Sequence, residues 1–379
     1  MSVYLDHAAT TPMFDVAIDA MSASLRKLGN PSSLHSDGRA TRKDVEDARE
    51  QIARAIDCLP SEVIFTGSGT EANNAAIKGL FWHSQKKVIV VSAIEHHAVL
   101  DPAHWLAEHE GAELIELPVT ADGVINLDFL SHLIAQRGAE IALISVMHSN
   151  NETGVIQPIA DVVRIAGDIP VHCDAVQSFS KVPLSYKELG LFAMTISAHK
   201  VGGPLGIGAL ILRRAVEIPP LLHGGGQERD IRSGTINAPS IVAFAAAVSA
   251  HLYAKKVTEL RDLFEAGVMQ ARPDAVINGK SAARLPGISN ITFPGTQSDS
   301  LLLLLDSEKV SCSTGAACSA GVHRPSHVLM AMGLSDVVAQ SSLRFSFGST
   351  SSHADVDYAL SVLPRVIERG LAANAVGRS

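Results

Sequence analysis

Two cysteines in one segment of small residues are the first candidates for chemistry in this 379-residue chain. The segment "SCSTGAACSAG", residues 311–321, places Cys312 and Cys318 six positions apart. A cysteine thiolate is both a nucleophile and a metal ligand, but the four cysteines include no C-x-x-C pair. The spacing therefore disfavours the common zinc sites and a disulfide framework, and it predicts reduced thiols.

Polar residues at the ends of apolar segments form a second set of candidates. Lys200 directly follows "FAMTIS" and enters the glycine-rich "AHKVGGPLGIG", a position that a solvated helix face explains poorly. Asp174 follows "IPVHC", with Gln177 three residues later. A strand-end aspartate is also an ordinary helix N-cap, so that alternative stays open for Asp174.

A phosphate site is one interpretation of "TGSGTEANN", which follows the apolar "VIF". Its glycines and hydroxyl residues, among them Gly69 and Thr70, would open a helix whose N-terminal N–H groups bind an anion. The segment is neither a P-loop nor a G-x-G-x-x-G fingerprint with an acidic partner. A capping box of Ser or Thr followed by Glu is the structural alternative.

Two further strand ends carry polar side chains. His96 and His97 follow "VIVVSAIE", and Asn150, Asn151 and Glu152 follow "LISVMHS". A hydrogen-bonded packing role is the alternative for the histidines, and an Asx-turn or a helix cap is the alternative for the asparagines.

Pyridoxal 5′-phosphate (PLP) is the one cofactor that uses a lysine, an anion and a phosphate cradle together. Its aldehyde needs a lysine, its pyridine nitrogen needs an anion to stay protonated, and its phosphate needs N–H donors. Lys200, Asp174 and residues 68–70 would meet those needs. Each signal is moderate alone, but their combination predicts a PLP site.

The elements that must position these residues alternate along the chain. Helix-like segments such as "EANNAAIKGLFWHSQ" and "NLDFLSHLIAQRG" separate the apolar strand candidates. Seven segments are predicted as strands: "SEVIFTG", "KKVIVVSAIEHH", "AELIELPV", "IALISVMHSNN", "IPVHCDAVQ", "FAMTISAHK" and "GIGALIL". This alternation predicts an α/β domain with a mainly parallel seven-stranded sheet, and in such sheets ligands bind beyond the carboxyl ends of the strands.

The remaining chain predicts a second, smaller α+β domain. The segments "AVINGK", "GISNITFPG" and "LLLLLDSEKVSC" are its strand and helix candidates, and helices near 326–332 and 353–369 are expected to end it. We expect a large domain over 12–254 and a small domain formed by 1–11 and 255–379, which carries the segment with Cys318.

Composition limits the classes of function. The net charge is −8 with no run of lysine or arginine, which disfavours direct nucleic-acid binding. The hydrophobic content of 46% predicts a compact soluble protein, and no apolar run reaches membrane-spanning length. The amino terminus lacks the pattern of a signal peptide. We therefore expect a cytoplasmic protein with no membrane partner.

A series of motifs resembles a known family. In order along the chain they are "YLDHAATTP", "GNPSSLH", "TEANN", "EHHAVL", "NNETG", "DAVQ", "SAHK", "GGGQERDIRSGTIN", "GAACSAG", "PSHVLMAMG" and "SSLRFSFG". They resemble the cysteine desulfurases of the NifS/IscS kind, which are class V members of the fold-type I PLP enzymes. The resemblance runs from Tyr4 to about Gly348 and so covers nearly the whole chain.

The resemblance implies a reaction and a set of partners. Such enzymes convert L-cysteine to L-alanine, leave a persulfide on an enzyme cysteine and pass the sulfur to acceptor or scaffold proteins. The family pattern also implies a homodimer with a shared active site. Iron–sulfur cluster assembly, tRNA thiolation and DNA phosphorothioation are all open as the pathway that receives the sulfur.

The family pattern assigns catalytic roles to three residues. Lys200 matches the Schiff-base lysine, His96 the residue that stacks on the ring and carries a proton, and Cys318 the nucleophile. Asn151 and Arg344 match the residues that bind the substrate carboxylate, a task that suits the two parallel donors of an arginine.

The same pattern implies a set of cofactor ligands. Asp174 would pair with the pyridine nitrogen and Gln177 with the ring oxygen, while Thr235 would reach the phosphate from the other subunit. The full set of implied cofactor-binding residues is Gly69, Thr70, His96, Asn151, Asp174, Gln177, Ser197, His199, Lys200 and Thr235. No metal is implied.

Three residues depart from the family pattern, and two alternative functions stay open. Leu205 stands where the family usually has a second lysine, Asp230 stands where glycine is common, and Cys312 is an addition relative to many relatives. Selenocysteine lyase or another class V aminotransferase-like enzyme is the alternative on the same scaffold. A non-catalytic sulfur-assembly partner protein is the alternative from another class. Because the family motif holds Cys318, we expect Cys312 to be a buried structural residue.

Overall fold

The protein is described by a computed structural model that covers residues 2–249, 254–315 and 325–376. Its strands are β1 (Val3–Tyr4), β2 (Val63–Thr66), β3 (Val88–Ser92), β4 (Glu113–Leu117), β5 (Ile141–Ser145), β6 (Val171–Asp174), β7 (Ala193–Ser197), β8 (Gly208–Leu212), β9 (Val276–Ile277), β10 (Ile288–Thr292), β11 (Val310–Ser311) and β12 (Ser342–Ser346). Its helices are α1 (Asp15–Leu25), α2 (Ser36–Ile56), α3 (Gly69–His83), α4 (His97–Glu110), α5 (Leu127–Arg137), α6 (Ile159–Ala166), α7 (Tyr186–Leu189), α8 (Ala238–Ser249), α9 (Ala254–Ala271), α10 (Ser298–Ser307), α11 (His327–Ala331), α12 (Asp336–Ala339) and α13 (His353–Val376).

The seven predicted strands form one sheet in the order β2-β8-β7-β6-β5-β3-β4. The pairs β4–β3, β3–β5, β5–β6 and β6–β7 are parallel. Strand β8 runs antiparallel to both β7 and β2. The prediction of a mainly parallel seven-stranded sheet is therefore confirmed.

Apart from the edge strand β4, this sheet is buried on both faces, which explains why its strands are apolar along most of their length. Every residue of β3, β5, β7 and β8 is buried. One hydrophobic cluster, with Val90 and Phe244, packs on one face, and a second, with Ile89 and Phe81, packs on the other. Side chains alternate between faces along each strand, so the neighbours Ile89 and Val90 contribute to different clusters.

The second unit contains two small sheets. Strands β12, β10 and β9 form an antiparallel three-stranded sheet, and β1 pairs with β11 in parallel. A hydrophobic cluster joins Val3 and Leu5 to residues between Val257 and Ile367. The amino-terminal strand thus packs with the carboxyl-terminal part of the chain. The domain boundaries 1–11, 12–254 and 255–379 stay a prediction.

The helices at the end of the chain agree with the sequence pattern except at one boundary. Helix α11 falls within the predicted 326–332, and α13 begins at His353 as expected but continues to Val376 instead of ending near 369. Within the described residues, no helix is long and apolar enough to cross a membrane.

Candidate active site

A cavity of about 500 Å³ lies where the carboxyl ends of the central strands meet the small sheets. It is bordered by residues that follow β2, β3, β5, β6 and β7, by the amino-terminal segment, and by β12 and the residues after β11. The polar residues and close backbone of its wall are Ala8, Ala9, Ser68, Gly69, Thr70, Asn73, His96, Ser149, Asn151, Asp174, Gln177, Ser197, His199, Lys200, Cys312, Ser313, Thr314, Gly315 and Arg344.

The amino terminus of α3 forms one end of this cavity. Ser68 caps the helix by accepting a hydrogen bond from the Glu71 N–H at 3.0 Å. A Cβ added at Gly69 would stand 3.0 Å from Val176 Cγ2 and 3.3 Å from Ser197 Cβ, so glycine keeps this helix end open. The capping interpretation is therefore confirmed, whereas the phosphate site stays a prediction that is compatible with the position of Gly69 and Thr70 on the cavity wall.

Asp174 lies at the end of β6 in a buried position. Its Oδ2 accepts from Asn73 Nδ2 at 2.6 Å, and its Oδ1 accepts from the Val176 N–H at 2.9 Å. Asn73 Oδ1 is buried and has no hydrogen-bond partner within the described part of the chain. Asn73 therefore holds the Asp174 carboxylate in place. Asn73 belongs to the motif "TEANN", but it was not predicted from the sequence as a site residue.

Lys200 projects from the turn after β7 toward the amino-terminal segment. Its Nζ donates to the backbone oxygens of Ala8 at 2.6 Å and Ala9 at 2.7 Å. Burial and the positive charge of Arg344 lower the pKa of Lys200 to about 8, although Asp6 and Asp174 oppose the shift. A larger fraction of the amine is therefore neutral near pH 7 than in a lysine exposed to water.

His96 is the N-cap of α4 rather than a freely placed side chain. Its Nδ1 accepts from the Ala98 N–H at 3.0 Å, so the neutral ring carries its proton on Nε2. Burial lowers the pKa of His96, with Lys200 adding to the shift and Asp174 opposing it. The neighbouring His97 is exposed and contacts Asp101 Oδ1 at 3.0 Å instead. The structure thus separates the two histidines, and only His96 borders the cavity.

Arg344 is a buried cation of the cavity wall and lies on β12. Its Nη2 donates to Asp6 Oδ1 at 2.7 Å, and its Nη1 donates to the backbone oxygen of Asn151 at 3.0 Å. Its Nε is buried and has no partner among the described residues. Asp6 was not predicted from the sequence, although it lies within the motif "YLDHAATTP".

Gln177, Ser197 and His199 also border the cavity, as predicted. Gln177 Nε2 donates to the Ala8 backbone oxygen at 2.8 Å. His199 Nδ1 lies 3.3 Å from Thr10 Oγ1, and burial, with the charge of Lys200, lowers the pKa of His199 to about 4. The ring is therefore neutral near pH 7 and can donate from one nitrogen.

The remaining predicted residues differ in their positions. Thr235 is exposed and does not border the cavity of its own chain. Cys312 is buried on the cavity wall, and burial raises the pKa of its thiol. Cys318 lies outside the described residues. Cys58, Cys173 and Cys312 are free thiols, and the described residues contain no cluster that could hold a metal ion.

Both departures from the family pattern lie away from the cavity wall. Leu205 is exposed, and Asp230 has a left-handed backbone with φ of 57°. The loop that carries Asp230 is anchored by the buried Glu228, which accepts from Arg49 at 2.7 and 2.8 Å and from the Phe65 N–H at 2.9 Å. Sequence reasoning did not single out Glu228, because a pair 179 residues apart leaves no local pattern.

The donor set of the cavity fits pyridoxal 5′-phosphate. A lysine with a lowered pKa, a buried carboxylate and a helix amino terminus kept open by glycine border the same space. These groups would hold the aldehyde, the pyridine nitrogen and the phosphate respectively.

Comparisons with known proteins agree with this chemistry. The sequence profile of the family described as "Aminotransferase class-V" matches residues 3–359. The chain is 48% identical to an "IscS-like cysteine desulfurase" of Mycobacterium tuberculosis, over 97% of this chain and 96% of the relative. It is 43% identical to the "Cysteine desulfurase IscS" of Dictyoglomus turgidum, over 97% of this chain and 95% of the relative.

A solved structure shows the same fold. The structure named "NIFS-LIKE PROTEIN" superposes on this chain with a TM-score of 0.90 at 35% identity. The superposition covers 97% of this chain and 100% of that structure. The likeness confirms the predicted fold class, fold type I of the PLP-dependent transferases. Taken with the family profile and the two relatives, it shows that the chain belongs to the IscS/NifS-like cysteine desulfurases of the class-V aminotransferase family, whose cofactor is pyridoxal 5′-phosphate.

Proposed function

We propose that this cysteine desulfurase transfers the sulfur of L-cysteine to Cys318 as a persulfide and releases L-alanine. The observation that carries the proposal is the meeting of Lys200, Asp174, His96 and Arg344 on one cavity of about 500 Å³. These residues come from different strand ends and from both units of the fold. A protein that had kept the fold and lost the chemistry would have no reason to keep all four together.

Bound pyridoxal 5′-phosphate would supply an electron sink at the substrate α-carbon. Lys200 would hold it covalently, and Asp174, fixed by Asn73, would keep the pyridine nitrogen protonated. The N–H groups of Gly69 and Thr70, with Ser197 and His199, would bind the phosphate. Gln177 would donate to the ring oxygen.

Protons move through two side chains in this proposal. Lys200 has a pKa of about 8, so its Nζ can both accept and return the α-proton of the substrate near neutral pH. His96 carries its proton on Nε2, because Nδ1 accepts from the backbone of α4, and Nε2 is thus the atom that can donate into the cavity.

Arg344 would bind the substrate carboxylate with help from the Asn151 side chain. Arg344 borders the cavity, and its guanidinium has parallel donors in the fork that suits a carboxylate, with Nη2 shared with Asp6. The guanidinium is buried, so water competes little for this pairing.

The thiolate of Cys318 would attack the sulfur of the bound substrate. An S–S bond forms while the C–S bond breaks, and the electron pair stays with the substrate carbon, which is protonated to give L-alanine. Sulfur then leaves Cys318 for an acceptor protein. The assignment of Cys318 is supported by the family motif "GAACSAG" and by the raised pKa of the alternative thiol, Cys312.

We propose a homodimer in which Thr235 completes the phosphate site of the partner subunit. Its support is the exposure of Thr235 on a loop held by the buried Arg49–Glu228 pair. The family resemblance favours a scaffold for iron–sulfur clusters as the acceptor, with tRNA or DNA thiolation as the alternative. Free thiols at the described cysteines favour a cytoplasmic location.

A paired substitution tests the nucleophile. Cys318→Ser should load pyridoxal 5′-phosphate and bind L-cysteine but release no sulfide with a thiol reductant. Cys312→Ser is the matched control and should keep turnover, because its thiol is buried and has a raised pKa. Full sulfide release by Cys318→Ser would assign the nucleophile elsewhere.

Colour tests the cofactor site directly. The loaded protein should be yellow, and Lys200→Ala should lose both the colour and the covalent attachment. A wild-type protein that stays colourless after addition of pyridoxal 5′-phosphate would refute the assignment of the cavity.

A further inference from the structure

A second lysine, Lys181, lies beside the proposed cofactor lysine. Its Nζ donates to Gln177 Oε1 at 3.2 Å, and both Lys181 and Lys200 border a small cavity of about 20 Å³. Within residues 2–249, 254–315 and 325–376, no carboxylate forms an ion pair with Lys181. A half-buried lysine without a carboxylate partner among these residues is costly, so its position calls for a function.

Hydrogen bonds connect the two lysines through one amide and one carbonyl. Lys181 donates to Gln177 Oε1, and Gln177 Nε2 donates to the Ala8 backbone oxygen at 2.8 Å. The same oxygen accepts from Lys200 Nζ at 2.6 Å. Gln177 therefore stands between Lys181 and the backbone that orients Lys200.

Both neighbours of Gln177 require the same orientation of its amide. A lysine ammonium only donates hydrogen bonds, and a backbone carbonyl only accepts them. Oε1 must then face Lys181, and Nε2 must face Ala8. Nε2 carries two hydrogens, so one N–H remains after the bond to Ala8, on a side chain that borders the large cavity.

We propose that Lys181 is a positioning residue that fixes the amide of Gln177 so that its free N–H faces the ring oxygen of the cofactor. The inference rests on the proposed function, in which Gln177 is the partner of that oxygen. Without Lys181, only the bond to the Ala8 carbonyl would hold the amide, so a larger fraction of the molecules would rotate it and present Oε1 to the ring oxygen. Two acceptors would then face each other, and the hydrogen bond would be lost.

The electrostatics of Lys181 are compatible with this function. Burial, together with the charges of Lys200 and Arg344, lowers the pKa of Lys181 to about 7. The charge of Lys181 acts in turn on the nearby rings of His7 and His199. In either charge state Nζ keeps N–H donors for Oε1, and the charged form holds the amide more strongly.

A double-mutant cycle on cofactor affinity tests the proposal. Pyridoxal 5′-phosphate is titrated into the cofactor-free forms of the wild type, Lys181→Met, Gln177→Ala and the double variant, and binding is followed by absorbance. Each single change should weaken binding about 5- to 10-fold, the value of one neutral hydrogen bond. The double variant should match Gln177→Ala within about twofold, because Lys181 acts through Gln177.

The absorption spectrum gives a second signature. Lys181→Met and Gln177→Ala should shift the band of the bound cofactor in the same direction, since both lose the donor to the ring oxygen. Lys187→Met, at an exposed lysine of α7, is the matched control and should change neither affinity nor spectrum. If Lys181→Met does not fold, Lys181→Ala takes its place in the cycle.

Three outcomes would overturn the inference: multiplicative effects in the double variant, wild-type affinity in Lys181→Met, or spectral shifts in opposite directions. Each leaves the proposed function standing, because the wild type still binds the cofactor. A wild type that binds no pyridoxal 5′-phosphate would instead refute the proposed function, and the inference with it.

Discussion

Replacing Arg344 by alanine is the most direct test of how the substrate carboxylate is held. The guanidinium is buried, with Nη2 on Asp6 and Nη1 on the backbone oxygen of Asn151, and Nε has no partner among the described residues. The substitution removes the cation and leaves Asp6 without its partner. A negatively charged substrate group would then enter a pocket that holds an unpaired carboxylate.

The expected loss follows from these contacts. Charge-assisted hydrogen bonds to a buried carboxylate contribute roughly 2 to 4 kcal/mol, and about 1.4 kcal/mol corresponds to tenfold in binding. KM for L-cysteine should therefore rise about 30-fold to several hundred-fold. The lower part of this range is expected, because Asp6 already shares Nη2 with any incoming carboxylate.

Steady-state formation of L-alanine, measured over a wide range of L-cysteine concentrations, separates KM from kcat. Arg284→Ala is the matched control, since Arg284 is also buried and bonds Glu265 at 2.7 and 3.0 Å but does not border the large cavity. It should lower the unfolding temperature and leave KM unchanged. An unchanged KM in Arg344→Ala, with both variants folded, would refute the assignment of Arg344.

Three further measurements follow from the structure. Because the neutral amine is the nucleophile and the pKa of Lys200 is about 8, the rate of cofactor loading should rise with pH to a plateau above about 8; a midpoint near the ordinary lysine value would contradict this. Burial lowers the pKa of His172 to about 3, so the unfolded chain binds the extra proton below pH 6.5, and this one group should lower the free energy of unfolding by about 2 kcal/mol between pH 8 and pH 5; His172→Asn should reduce the pH dependence by that amount in urea titrations. Glu228→Gln leaves the buried Arg49 cation without its anion and should cost about 3 to 5 kcal/mol in denaturant unfolding. Replacing the exposed partner, Glu46→Gln, should cost less than about 1 kcal/mol.

Much of the fold was predictable because it follows local patterns. The seven apolar segments became the seven strands of the large sheet, since a strand buried on both faces needs an apolar residue at nearly every position. Polar residues at the strand ends then met in one cavity, because the carboxyl ends of parallel strands lie at one edge of the sheet. Lys200, Asp174, His96 and Gln177 could be placed there before any coordinate was known.

One helix boundary was less well predicted. Helix α13 continues to Val376, beyond the expected end near 369, because no glycine or proline in "LAANAV" stops it. Thr235 is exposed, and its predicted contact with the cofactor phosphate needs a second copy of the chain.

By itself, the sequence determined the alternation of strands and helices, the order of the motifs and the types of the reacting side chains. Only the tertiary structure decided which distant groups form hydrogen bonds with these side chains. Asp6 accepts from Arg344, Asn73 donates to Asp174, and the carbonyl of Ala8 accepts from both Lys200 and Gln177. Burial and charge at those contacts set the pKa of Lys200, and the bonds between them fix the amide of Gln177. Periodicity reports how a segment meets its own neighbours, whereas these pairs join residues 338, 101, 192 and 169 positions apart, and only the packed chain brings them together.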